Sequence, residues 1–124
     1  MHIIAILSVA FGGAIGATLR YLISQISFLQ TSFPWATFAV NLAGALLIGF
    51  IVGIAPSRLS PNALLCLKTG FCGGLTTFST FSLEALSLFE KGRILPASIY
   101  ILASVILCIF GVFAGRALAM RCIN

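Results

Sequence analysis

Residues 62–89 read NALLCLKTGFCGGLTTFSTFSLEALSLF, and the middle of that run decides the fold. As one continuous helix it would extend about 40 Å at 1.5 Å per residue, against roughly 30 Å for the hydrocarbon core of a bilayer. Its centre is Gly73-Gly74-Leu75-Thr76-Thr77. Each Gly lowers helix propensity by about 0.8–1 kcal/mol relative to Ala, and each Thr by up to about 0.7 kcal/mol. A break near 73–77 is expected. Irregular backbone at mid-membrane depth survives only where protein or a water-lined surface covers it. Freed carbonyls there need a partner. A cation is one candidate, since unwound carbonyls and half-helix ends coordinate ions in membrane proteins. Tight helix crossing at the glycine pair is the other reading, and spacing alone leaves both open.

The rest of the chain places this run in lipid. Of 124 residues 60% are hydrophobic and only 7% are charged, against about 25% charged in a soluble domain. A domain this small buries only about 60–70% of the surface its unfolded chain exposes. A soluble enzyme, a nucleic-acid binder and a disordered segment are therefore excluded. Three further apolar stretches flank the broken one, at about 3–27, 35–55 and 95–120, with the third at about 62–89. The expected fold is an all-α integral membrane protein of four transmembrane helices, one domain over 1–124, with the third helix broken. Pro56 and Pro61 should stop the second helix and start the third. The first stretch has no charged start beyond His2 and carries Arg20 late, so it reads as a span rather than a cleaved leader.

Charge bears on orientation. The net charge is +5, and the basic residues are scattered at the ends of apolar runs; this fits membrane anchoring and not nucleic acid. With four spans, Arg58, Lys68, Arg116 and Arg121 fall on one side and Arg20, Lys91 and Arg93 on the other. The positive-inside bias is nearly zero, so the chain can insert both ways up, unless one helix or the insertion machinery decides. Each stretch also holds a GxxxG: Gly12–Gly16, Gly49–Gly53, Gly70–Gly74 and Gly111–Gly115. Small residues four apart let helices approach closely in lipid, which points to a compact bundle and to oligomers. Cys66, Cys72, Cys108 and Cys122 form no CxxC pair and read as packing residues.

The polar inventory is poor in charge and rich in donors. Asn41 is the one amide in an otherwise apolar second helix, and Tyr100, Ser104 and Cys108 recur every four residues in the last. Thr76, Thr77, Ser79, Thr80 and Ser82 interleave with Phe78 and Phe81. Only Glu84 could carry a proton inside the bundle, near the end of its helix. No nucleophile sits with a base and no phosphate loop is present, so the chain is not an enzyme. Neutral N–H and O–H donors suit an anion, and the edges of phenyl rings carry the positive part of the ring quadrupole. Moving a carboxylate-sized ion into a low dielectric costs on the order of 20 kcal/mol, while one hydrogen bond to a charged group is worth about 1.5–3 kcal/mol. The path needs donors in series, some water, or a fixed positive charge.

Asn41, the run GGLTTFSTFS from Gly73 to Ser82, GAIGATLRY from Gly13 to Tyr21 and the four-span length together resemble the Fluc/CrcB family of bacterial fluoride channels. The resemblance covers essentially the whole chain. It implies fluoride-selective, passive export across the bacterial plasma membrane by a dual-topology homodimer of antiparallel subunits. It also implies a structural Na+ that is not transported, held by the backbone carbonyls of Gly73 and Thr76 from two copies. By matching position, Asn41, Phe78, Phe81, Thr77, Ser79, Thr80, Tyr100, Ser104 and Cys108 line the fluoride pathway, and Arg20 and Glu84 stand at pore entrances. Cys108 departs from the hydroxyl more usual at its position. Two rivals share the size: a small dual-topology exporter of cationic drugs, and a non-transporting membrane subunit. The exporter depends on an acidic residue deep in the first helix, where this chain has Gly, Ala and Thr.

Overall fold

The computed structural model describes residues 2–123. Helix α1 spans His2–Ser24 and α2 spans Trp35–Arg58. Helix α3 is a rod of three consecutive stretches, Pro61–Leu64, a π-helical Leu65–Cys72 and Gly73–Leu75. Helix α4 is Phe78–Glu90 and α5 is Ile94–Ile123. A short 3-10 turn, Ser27–Leu29, lies between α1 and α2, and the described residues hold no β-strand. Helices α1, α2 and α5 are long and apolar enough to cross a membrane, so the chain is a multi-pass membrane protein. At 1.5 Å per residue, neither α3 nor α4 exceeds about 23 Å, too short to cross alone.

The ends of the elements follow local chemistry. Ser60 caps α3 by accepting a hydrogen bond from the Ala63 N–H at 3.3 Å, with Pro61 in the first turn, where its missing N–H is no loss. Helix α4 ends in a two-bond C-cap: the Gly92 N–H reaches the Phe89 carbonyl and the Arg93 N–H the Leu88 carbonyl, both at 2.9 Å. That cap needs a left-handed residue, and Gly92 has φ +71. Pro56 does not stop α2, which runs on to Arg58 with the proline inside its last turns. So close to a helix end, its missing N–H leaves few hydrogen bonds to break.

The break is narrower than the composition suggests. Gly73 is helical, at φ −64 and ψ −36. The chain turns extended only at Thr76 (φ −86, ψ 157) and Thr77 (φ −152, ψ 119). Of the glycine pair, Gly74 serves packing, whereas a Cβ on Gly73 would meet nothing within 4 Å. A Cβ on Gly74 would overlap the Gly13 carbonyl in α1, and one on Gly12 or Gly16 would overlap the backbone of α3. Across the molecule, a Cβ on Gly49 would overlap the Val112 carbonyl of α5, and one on Gly115 the Leu46 carbonyl of α2. The four GxxxG motifs thus pair two by two inside one chain, α1 with α3 and α2 with α5. They are used up within the chain, and contact with another copy must use a different face.

Two glycine substitutions separate these roles. Gly49→Ala should destabilise by about 1–3 kcal/mol, because a new methyl group meets backbone that cannot yield. Gly13→Ala, whose nearest neighbour would be the Gly70 carbonyl at an ordinary 3.8 Å, should be neutral. Size-exclusion profiles of detergent-solubilised protein after a heating series check both; equal melting of the two variants would remove the close-packing account.

Candidate functional site

Asn41, on α2, holds the break from both sides. Its Oδ1 accepts the Thr77 N–H at 2.8 Å, and its Nδ2 donates to the Thr77 carbonyl at 3.2 Å. In an unbroken helix the Thr77 N–H would bond the carbonyl four residues earlier, that of Gly73. The Thr80 N–H is diverted in the same way: it bonds Thr77 Oγ1 at 3.2 Å, as an N-cap of α4, and so does not serve the Thr76 carbonyl. Gly73 and Thr76 are therefore the two carbonyls deprived of a helical partner by side chains. Gly74 lies between them, and its carbonyl accepts from Arg20 Nε at 3.1 Å. The Cys72 carbonyl accepts both the N–H (3.0 Å) and the hydroxyl (2.9 Å) of Thr76.

Gly73 and Thr76 border a cavity of about 660 Å³, open on one side. Asn41, Gly73, Thr76, Thr77, Phe78, Phe81, Ser104 and Cys108 all line it. Ser104 Oγ is buried and has no hydrogen-bond partner among the described residues. A helical serine ordinarily bonds its own backbone, so an idle buried hydroxyl on a cavity wall is a donor without a ligand. The two phenyl rings differ. Phe81 is 7% exposed and packs on Tyr100, with centroids 5.0 Å apart; Phe78, 5.4 Å from Phe81, is 77% exposed. No carboxylate lines this cavity, and its one charged residue is Lys68. No group of three or more His, Cys, Asp or Glu able to hold a metal occurs among the described residues. Oxygen ligands for a cation on this wall would be neutral ones, backbone carbonyls, hydroxyls or the Asn41 amide, and not carboxylates.

Not every expected pathway residue is on this wall. Thr80, Arg20 and Glu84 line a second, more polar pocket of about 310 Å³, together with Thr37 and Lys91. Thr77 borders both spaces. Tyr100 is fully buried and lines neither; its hydroxyl donates to Glu84 Oε2 at 2.8 Å. Ser79 is exposed, 3.3 Å from Thr77 Oγ1, and lines neither space. Thr37 completes the Glu84 site by donating to Oε1 at 2.8 Å. Sequence reading passed over Thr37, although it stands one helical turn before Asn41 in an otherwise apolar stretch. Lys68 was read only as a flanking charge.

Residues 7–116 match the sequence profile described as "CrcB-like protein, Camphor Resistance (CrcB)". Curated relatives align over most of both chains. One from Agrobacterium fabrum (strain C58 / ATCC 33970), named fluoride-specific ion channel FluC, is 48% identical over 89% of this chain and 91% of its own. One of the same name from Chlorobium phaeobacteroides (strain BS1) is 45% identical over 93% and 92%. A third, fluoride-specific ion channel FluC 2 of Rhodococcus jostii (strain RHA1), is 49% identical over 81% and 85%. A profile spanning nearly the whole chain, and relatives this similar around an Asn-held break in a multi-pass helical bundle, lead to one conclusion: the chain belongs to the CrcB-like family.

Proposed function

We propose that this protein is a fluoride-selective ion channel, and that it lets fluoride leave the bacterial cell passively across the plasma membrane, which lowers fluoride toxicity. The observation that carries the reading is the wall of the large cavity, which offers an amide, hydroxyls, a thiol and phenyl rings but no carboxylate. The names of the relatives agree with it. A cation exporter would find no counter-charge on this wall.

The energetics set the mechanism. Stripping an ion of water costs on the order of 20 kcal/mol, and charged hydrogen bonds return about 1.5–3 kcal/mol each. The second N–H of the Asn41 amide, Ser104 and Cys108 supply donors in series, with the ring edges of Phe78 and Phe81 beside them, so that the anion passes between partial hydration sites. Thr77 borders the path while its hydroxyl donates to Thr80 Oγ1 at 3.1 Å. The Gly73 and Thr76 carbonyls, lacking their helical N–H partners, fit a sodium ion. Bound there, it would add fixed positive charge to the break without moving.

Helices α3 and α4 together make the fourth crossing. The working unit is an antiparallel homodimer with the open sides of two cavities facing. Three things favour it: the near balance of Lys and Arg across the membrane, the open wall with Phe78 on it, and the glycine motifs already occupied inside the chain.

Liposomes containing the purified protein should release fluoride rapidly without a proton gradient and retain chloride, as read by ion-selective electrodes. Retained fluoride, or equal chloride loss, overturns the assignment. Replacing Phe78 or Phe81 by Ile should slow release by roughly threefold to tenfold, the equivalent of the 0.5–1.5 kcal/mol of an aromatic contact; unchanged rates in both would take the rings out of the path. Asn41→Leu should abolish release and also loosen the break; a monodisperse Asn41→Leu protein with normal fluoride flux would refute the role given to the amide.

A further inference from the structure

We propose that Lys68 is the anion-collecting charge of the large cavity and sets how fast fluoride enters it; the inference rests on the channel reading above. The positions from α3 into the break that border the cavity are 68, 69, 72, 73 and 76. They form one stripe down one face of the rod, as the period of about four residues requires. Lys68 begins the stripe and Thr76, at the break, ends it, about 12 Å further on at 1.5 Å per residue. Across the space the stripe faces Ser104, Cys108 and Val112 of α5.

Among the described residues no carboxylate lines the cavity with this ammonium. The chain has only two carboxylate side chains, Glu84 and Glu90, and neither lines the cavity. Both Glu84 oxygens accept from hydroxyls, those of Thr37 and Tyr100. Charged side chains within a membrane segment face a bundle interior or a water-filled space. Lys68, some seven residues into its rod, is exposed and borders the open cavity. An unpaired cation on a low-dielectric wall focuses field into the space and raises the local concentration of anions. Donors deeper along the stripe have no net charge, so Lys68 supplies the long-range attraction and they supply the local contacts. Arg20 cannot substitute, because it caps the Gly74 carbonyl and lines the other pocket.

The test is initial fluoride efflux from liposomes at fixed fluoride, with ionic strength varied by potassium gluconate. At about 10 mM ionic strength, where the Debye length is about 30 Å, Lys68→Gln should lose roughly tenfold, at the low end of electrostatic steering effects. Lys68→Glu should lose more, and Lys68→Arg should stay within about twofold of wild type. Above about 0.3 M salt the deficit of Lys68→Gln should shrink to about twofold or less, because the field is screened over less than about 8 Å. Wild-type flux should itself fall over the same salt range. Equal low-salt flux of wild type and Lys68→Gln, a deficit that ignores salt, or wild-type flux insensitive to salt overturns the proposal while the channel assignment stands. The last needs no variant to fold. Wild-type liposomes that hold their fluoride overturn the channel assignment itself and this proposal with it.

Discussion

One amide side chain determines how the centre of this molecule is built. In lipid no water is available to bond a free peptide group, so a helix can be interrupted only where other donors and acceptors take over its ladder. Asn41 does this for the Thr77 peptide on both its N–H and its carbonyl. The consequence runs outward. The Thr77 N–H no longer serves Gly73, Thr77 Oγ1 takes the Thr80 N–H and starts α4, and Arg20 covers Gly74. Gly73 and Thr76, whose carbonyls lose those helical partners, both border the cavity. Removing the amide would leave two part-buried backbone groups of Thr77 without their partners, at up to about 1–3 kcal/mol each.

Around this centre the polar groups divide into two sets with different surroundings. On one side Glu84 is held by Thr37 and Tyr100, and Thr80, Arg20 and Lys91 share its pocket. On the other the wall is mostly apolar, with neutral donors and one ammonium. Thr77 is common to both. The first space mixes one acid with two cations, while the second holds a single ammonium and no carboxylate, although the two are only a few side chains apart.

Much of this was legible in the sequence, because the signals were chemical and local. The apolar lengths gave α1, α2 and α5, and the Thr-Thr step after a glycine pair gave the break. The isolated amide marked Asn41. What was not legible depended on partners distant in sequence. Gly73 and Gly74 have low helix propensity, yet both stay helical because α1 packs against Gly74 and Asn41 acts only at Thr77. Glycines four apart point to a compact bundle and to oligomers alike, and within the chain their partners are one another. Tyr100 shares a stripe with Ser104, and only the position of Glu84 turns it away from the cavity. The facing of Lys68 depends on how a π-helical stretch is set against α5, and no single-helix pattern encodes that.

The two glycine seams carry a final consequence. Where α2 meets α5 at Gly49 and Gly115, and α1 meets α3 at Gly12, Gly16 and Gly74, main chain rests on main chain with no side chain between. Rotamer changes cannot widen or narrow such a joint. The spacing of the helices within each pair is therefore set by peptide geometry itself, and only a shift of whole helices can alter it.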